Sequence, residues 1–383
     1  MLEYRSPWET EDTDAFRTTV RRFFETEVAP YEKRWAEQQH VDKEVWRKAG
    51  DLGLLCTSID EAYGGVGASF AHELVIAEEQ ARASDTAFGV ILGSTMAIPI
   101  LLHAATEDQK KQWIPKLATG EGILGFALTE PGAGSDAKQV QTRAVRDGDD
   151  YVINGSKTFI SNGYNANLCM VVARTLSESG ADEGLSMFMV ERETTPGYRV
   201  GSILSKVGQR GQDTAELFFD DMRVPSANLL GRIPGQAFAQ LKRGFLTERT
   251  IIGLMSVANA ERAVELTVEY TKQRRVFGEA LFDLQNTRFK LAECHAQARV
   301  ARVFIDDCVV RLMNGTMDTP TASMAKLFCT EMQNRVMDEC LQLHGGYGYI
   351  TEFPIARMWA DARVQRIYGG ASEIQKEIIA RSL

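Results

Sequence analysis

The sequence predicts an α+β multidomain protein: an N-terminal α-helical domain over residues 1–122, a middle β-barrel-like domain over 123–232 and a C-terminal four-helix bundle over 233–383. Two observations carry this. The apolar period switches from helical to alternating after Gly122 and back again past Pro234. Three helical runs of about twenty residues or longer follow the second switch, each ending on a glycine signal.

In the N-terminal part, Phe16, Val20, Phe23 and Phe24 recur at helical spacing with charges between them, and Pro30 marks an approximate end. The glycine-rich stretch Asp60–Ser69 lacks the preceding strand and later acid of a dinucleotide fingerprint, so it reads as a connecting loop. Ser84 to Leu102 is apolar and rich in small residues; it suits a buried core helix or a helix lining a cavity for an apolar ligand. In the middle part Asp147–Asp150 is turn-prone, Tyr151–Ile153 and Lys157–Ile160 read as strands, and Asn154-Gly155 between them reads as a tight hairpin turn. Asn167–Thr175, Gly184–Arg192 and Ala215–Pro225 are further strand candidates. The long helices are expected within Glu261–Gly278, Gln285–Gly315 and Thr321–Gly346, with a capped C-terminal helix as the fourth member of the bundle.

Composition narrows the function. A formal charge of −9 without a long basic run argues against a nucleic-acid surface. No stretch approaches the roughly eighteen apolar residues of a membrane span. The acidic N-terminus has neither the apolar core of a secretory signal nor the Arg/Ser-rich character of a transit peptide, so a cytoplasmic location is expected. The six cysteines form no Cys-x-x-Cys and read as packing residues, and the five histidines make no metal-ligand pattern.

Chemistry gathers in a few stretches. The closing segment has the diglycine Gly369-Gly370 followed by Ser372 and Gln375 at the spacing of a capping box, so a sharp turn feeds a helix whose free N–H groups suit a polar ligand. Phe245–Arg249 sets Glu248 beside Arg249 in a mainly apolar run. Phe126–Ala137 leaves a strand for a loop where backbone N–H groups and the Thr129 and Ser135 hydroxyls are available. Phe159 and Ser161, two residues apart, share a strand face that suits a flat heterocycle.

Taken in order, FALTEPGAGSDA, INGSKTFISNG, DTAELFFDDMRVPSANLLG, RRVFGEALFDLQ, LQLHGGYGY and IYGGASEIQ resemble the signatures of the acyl-CoA dehydrogenase family over essentially the whole chain. The resemblance implies FAD as cofactor and removal of hydrogens from Cα and Cβ of an acyl-CoA thioester, a carboxylate taking the α-proton while the β-hydrogen leaves as hydride to flavin N5. It implies that Phe126, Leu128 and Thr129 edge the isoalloxazine, that Phe159 and Ser161 cover its other side, and that Ser135 meets the CoA arm. Arg274, Phe277, Gln285, Gln342, Gly345 and Gly346 would hold the dinucleotide of a neighbouring subunit in a homo-oligomer, a tetramer. Ala371, Ser372 and Glu373 would flank the flavin, and Arg249, Tyr368, Gly369 and Gly370 would line the substrate. The implied electron acceptor is an electron-transferring flavoprotein.

The chain departs from the family pattern where many members place the catalytic Glu, directly after the tyrosine of IY-x-G-T: Gly369 stands there. The long-chain and isovaleryl branches carry the base on a helix of the C-terminal domain within an Glu-Arg pair, which Glu248-Arg249 matches. Glycine at 369 also frees space beside the substrate carbons, so long or branched acyl chains are expected. Ala371 stands where Thr is usual, so looser FAD retention is expected. Two rival readings are a flavin-binding subunit without catalysis and an acyl-CoA oxidase using oxygen.

Overall fold

The computed structural model describes residues 4–383, apart from the side chain of Arg243; Met1–Glu3 of the acidic N-terminus lie outside the described residues. The first third is helical: α1 (Glu11–Phe23), α2 (Glu32–Gln38), α3 (Glu44–Asp51), α4 (Phe70–Arg82), α5 (Ile98–Ala104) and α6 (Glu107–Ala118). Thr10 and Thr13 exchange side-chain and backbone hydrogen bonds at the start of α1, with acids in its first turn and arginines in its last. Helix α4 is buried over almost its whole length, acids included. A π-helical stretch, Leu92–Ala97, leads into α5.

The middle third is a seven-stranded sheet: β1 (Leu124–Ala127), β2 (Arg143–Asp147), β3 (Asp150–Ser161), β4 (Leu168–Leu176), β5 (Asp182–Glu191), β6 (Tyr198–Ile203) and β7 (Thr214–Pro225). One edge of β4 is shared by β1 and β2, which run parallel to it at Leu124↔Leu168 and Arg143↔Arg174, while β5 covers the other edge. The residues between β1 and β2 therefore leave and rejoin the same strand. The hairpin expected at Asn154-Gly155 is not there: β3 runs straight through, and the turn lies at Asp147–Asp150. Gly155 instead marks a register shift against β7, at φ +152°, where a Cβ would sit 2.5 Å from Thr142 Oγ1. Close backbone approach, not turning, is what this glycine is for.

The last third contains α7 (Ala237–Gln273), a two-stranded ribbon β8 (Arg275–Val276) and β9 (Glu279–Ala280), then α8 (Gln285–Met313), α9 (Thr319–His344), α10 (Pro354–Ala362) and α11 (Ser372–Ala380). Helix α7 begins well before the expected Glu261 and is one continuous element of 37 residues. The short α10 and α11 both pack on α9. No helix among the described residues is long and apolar enough to cross a membrane. All six cysteines are buried and free.

A buried charge network joins the first and last thirds. The Arg302 guanidinium on α8 meets Glu78 of α4 at 2.5 Å and Glu261 of α7 at 2.8 Å, while Arg17 of α1 bridges Glu9, Glu78 and Glu79. Burial works against the charged form of Glu78, yet these arginines hold its carboxyl below the usual range. Arg302→Met strands that carboxylate, so we expect a loss of about 3–5 kcal/mol, read as a lower thermal midpoint. Combining it with Glu78→Gln is expected to recover part of the loss.

Candidate active site

Glu248 and Arg249 lie in the N-terminal half of α7. That half can approach the 92–104 segment closely because Gly244 has no side chain: a Cβ there would stand 2.6 Å from Ile100 Cγ1. Glu248 is half-buried. Burial raises its pKa, against the opposing charges of Arg249 and Lys326. Arg249 is itself buried, donating to Ser323 Oγ on α9 at 3.3 Å and lying 5.6 Å over the Phe245 ring.

The diglycine turn meets this acid across more than a hundred residues of chain. Gly369 and Gly370 both have positive φ, +62° and +86°, which favours glycine. A Cβ on Gly369 would sit 2.5 Å from Ile252 Cδ1 and 3.4 Å from Glu248 Oε1. The volume a side chain at 369 would take is thus already bounded by the Glu248 carboxylate. Tyr368, 38% exposed overall, adjoins the same acid: desolvation around its hydroxyl, with the Glu248 charge adding to it, pushes that group up to about 12.

The turn is held from behind. Gln375 Nε2 donates to the carbonyls of Gly369 (3.2 Å) and Gly370 (2.9 Å), and buried Lys326 Nζ donates to Gly370 O at 2.9 Å. The expected capping box is absent. Ala371 is the N-cap of α11 and offers no side-chain bond; Ser372, one position too far in, donates to Glu331 Oε1 at 2.9 Å. Gln375 is committed to the turn carbonyls instead.

A second group forms on the sheet. Phe159 is 66% exposed at φ +58°, on a register shift of β3 between Lys157 and Ile160, with Ser161 half-buried two residues on. Phe126, Leu128 and Thr129, all half-buried, lie on the neighbouring segment, tied to β3 by Thr158 N–H donating to Thr129 O at 3.0 Å. Behind them is an ion pair the sequence reading missed: Lys157 Nζ donates to Glu130 Oε1 (2.8 Å) and Leu128 O (3.0 Å), and the Glu130 carboxylate accepts Gln141 and Thr142 N–H at 2.7 and 3.0 Å. This closes the base of the loop carrying exposed Ser135. The available signal was Lys157 at the inward parity of Tyr151 and Ile153 on an apolar strand. An exposed aromatic in a strained backbone, with hydroxyls and half-buried apolar edges beside it, fits a flat ring with polar rims such as the isoalloxazine of FAD.

A third group stands apart. Arg274, Gln342, Gly345 and Gly346 line a cleft of about 700 Å³. Gln285, between lining residues Leu284 and Asn286, is exposed, and Phe277 is 98% exposed at φ +50°. Arg274 caps α7, 26 residues beyond Glu248, or about 39 Å along the helix at 1.5 Å per residue. That exceeds the ~30 Å diameter of a small domain. The structure brings Glu248, Arg249 and the diglycine turn together, and leaves the Arg274 cleft separate within one chain.

Comparison with known proteins matches three family models in succession: acyl-CoA dehydrogenase N-terminal domain over residues 10–121, middle domain over 125–222 and C-terminal domain over 235–383. The mitochondrial long-chain specific acyl-CoA dehydrogenase of Rattus norvegicus is 42% identical over 97% of this chain and 86% of that protein. The crystal structure of acyl-CoA dehydrogenase from Geobacillus kaustophilus superposes with a TM-score of 0.95 at 41% identity, covering 99% of each chain. Acyl-CoA dehydrogenase complexed with FAD from Bacillus anthracis superposes at 0.91 with 30% identity, over 99% of this chain and 68% of that one.

Lys157→Met leaves the Glu130 carboxylate buried without its cation. We expect a loss of about 3–5 kcal/mol in stability, together with less flavin retained per chain after gel filtration, read by thermal unfolding and flavin absorbance.

Proposed function

The chain belongs to the acyl-CoA dehydrogenase family, and on that premise we propose that it oxidises a long or branched acyl-CoA thioester to the trans-2-enoyl-CoA with Glu248 as the base. The observation that carries the assignment is the 3.4 Å separation between Glu248 Oε1 and the Cβ position of Gly369. A carboxylate reaching from α7 stands beside the place where many relatives carry theirs. Position in space, not in sequence, is what proton abstraction requires.

A thioester α-proton is weakly acidic, so its acceptor needs raised basicity, which burial gives Glu248. Negative charge developing on the thioester oxygen needs donors, and the Gly369 N–H supplies one whatever the side chain. Phe126, Leu128, Thr129, Phe159 and Ser161 would frame the flavin ring, and Ala371, Ser372 and Glu373 would flank it. Ser135 takes the CoA arm; Arg249, Tyr368 and Gly370 border the acyl end. FAD held there supplies the acceptor for the hydrogen leaving Cβ. Because Arg274, Phe277, Gln285, Gln342, Gly345 and Gly346 lie at the far end of α7, they serve the dinucleotide of another copy, which makes a homotetramer part of this reading. The reduced enzyme passes its electrons to an electron-transferring flavoprotein, as in fatty-acid or branched-chain catabolism.

Space along the 92–104 segment supports a long chain. Ala104 O and Gln240 Nε2 flank Gly231, and Ile100 and Met96 O face Gly244, so the segment runs along the N-terminal half of α7, the half that carries Glu248. Gly93 there is buried, yet a Cβ on it would meet nothing within 4 Å. We expect Gly93→Val to lower kcat/KM for the longest ester accepted by about tenfold relative to a short one.

The decisive experiment is anaerobic flavin bleaching with a panel of acyl-CoA esters. Glu248→Gln is expected to keep FAD and lose about 10²–10⁴ in bleaching rate. In the wild type kcat/KM should rise with pH through a value above the ordinary carboxylate range, because the base works only when deprotonated and burial raises its pKa. Flavin that stays oxidised with every ester points to a non-catalytic subunit, and reoxidation faster by oxygen than by an electron-transferring flavoprotein points to an oxidase.

A further inference from the structure

Lys326 is a fully buried lysine on α9 whose hydrogen bond goes to a carbonyl, Gly370 O at 2.9 Å. Burying an ammonium is costly unless its charge is used. It sits on a buried helical face with Ala322, Ser323, Cys329 and Thr330, all uncharged, where packing alone calls for no charge. Two uses are within reach.

The first is geometric. All peptide bonds in the described residues are trans, and a trans peptide holds its C=O and the following N–H on opposite sides. Pinning the Gly369 and Gly370 carbonyls on Gln375 and Lys326 therefore aims the N–H groups of Gly370 and Ala371 the other way, out of the turn. The second is electrostatic. Lys326 is faced by Glu248 and Arg249 from α7, by Glu331 of its own helix and by Glu373 of α11. Glu248 in turn is faced by Arg249, Lys326 and the Tyr368 hydroxyl. Arg249 is engaged by Ser323 and the Phe245 ring. Lys326 is the cation that touches the turn itself.

We propose that Lys326 is a positioning residue of this site: its ammonium clamps the Gly370 carbonyl, setting the direction of the Ala371 N–H, and supplies the positive charge that α9 presents to the Glu248 carboxylate. The inference rests on Glu248 being the base. Burial pushes Lys326 down to about 8, so the charge acts below that pH.

The test is kcat/KM for anaerobic flavin reduction between about pH 6 and about pH 9 in wild type, Lys326→Met, Lys326→Gln, Lys326→Arg and Glu248→Gln, all as holoenzymes. Without the cation the Glu248 carboxylate is harder to ionise. The acid limb should then move to higher pH in Lys326→Met and Lys326→Gln, with about tenfold or greater loss at the low end and convergence to within about threefold of wild type above pH 8. Lys326→Arg should keep the limb in place. Lys326→Gln retains a hydrogen-bond donor and removes only the charge, so it gives the same reading where Lys326→Met folds poorly. A limb that stays at its wild-type position in the neutral variants, with equal loss at every pH, overturns the proposal. Bleaching by Glu248→Gln at near wild-type rate instead removes the base assignment, whatever the Lys326 variants do.

Discussion

One continuous helix decides where everything else can stand. Helix α7 runs 37 residues without a break, so its ends are held apart by the rise of the backbone. Its first half carries Gly244, Glu248 and Ile252, against which the 92–104 segment and the diglycine turn close. Its C-terminal end carries Tyr270 and Arg274 and borders a separate cleft. No rearrangement of loops can unite these two groups within one chain. The distance between them is the observation on which the proposed sharing of a dinucleotide between copies rests.

At the first of these ends, space and charge exclude a second carboxylate. Gly369 is confined to positive φ, Ile252 fills the direction a side chain would take, and Glu248 Oε1 is already beside it. Two carboxylates so close would raise one another's pKa, since like charges at short range cannot both ionise freely. Absence of an acid after Tyr368 is thus the structural counterpart of the acid on α7. There is room here for one carboxylate, and the backbone N–H of the turn does not depend on which element provides it.

Two buried lysines follow a common logic. Lys157 holds the loop after β1 by Leu128 O and Glu130; Lys326 holds the diglycine turn by Gly370 O. Burial pushes both down to about 8. Each spends an expensive buried charge on a backbone carbonyl in a segment that flanks the site. Apolar side chains could fill the same volume but could not orient a peptide plane, and oriented peptide planes are what a polar ligand meets.

The sequence by itself determined what repeats along the chain. The switches of apolar period marked out helical, sheet and helical regions, and the ordered motifs identified the family, because side-chain alternation and local signatures are written in neighbouring residues. Glu248 was legible through its pairing with Arg249, and Phe159 with Ser161 through strand parity. What only tertiary structure decided concerns partners distant in sequence. Asn154-Gly155 has hairpin chemistry, but β7 pairs along the whole of β3 and turns that glycine into a site of close approach to Thr142. Ser372 and Gln375 have capping-box spacing, but Glu331 and the turn carbonyls outbid the helix N-terminus for them. Lys157 and Lys326 went unread in the sequence, because their carbonyl partners lie 29 and 44 residues away. Local spacing can propose a hydrogen bond, yet which acceptor wins depends on what the folded chain brings within three ångströms.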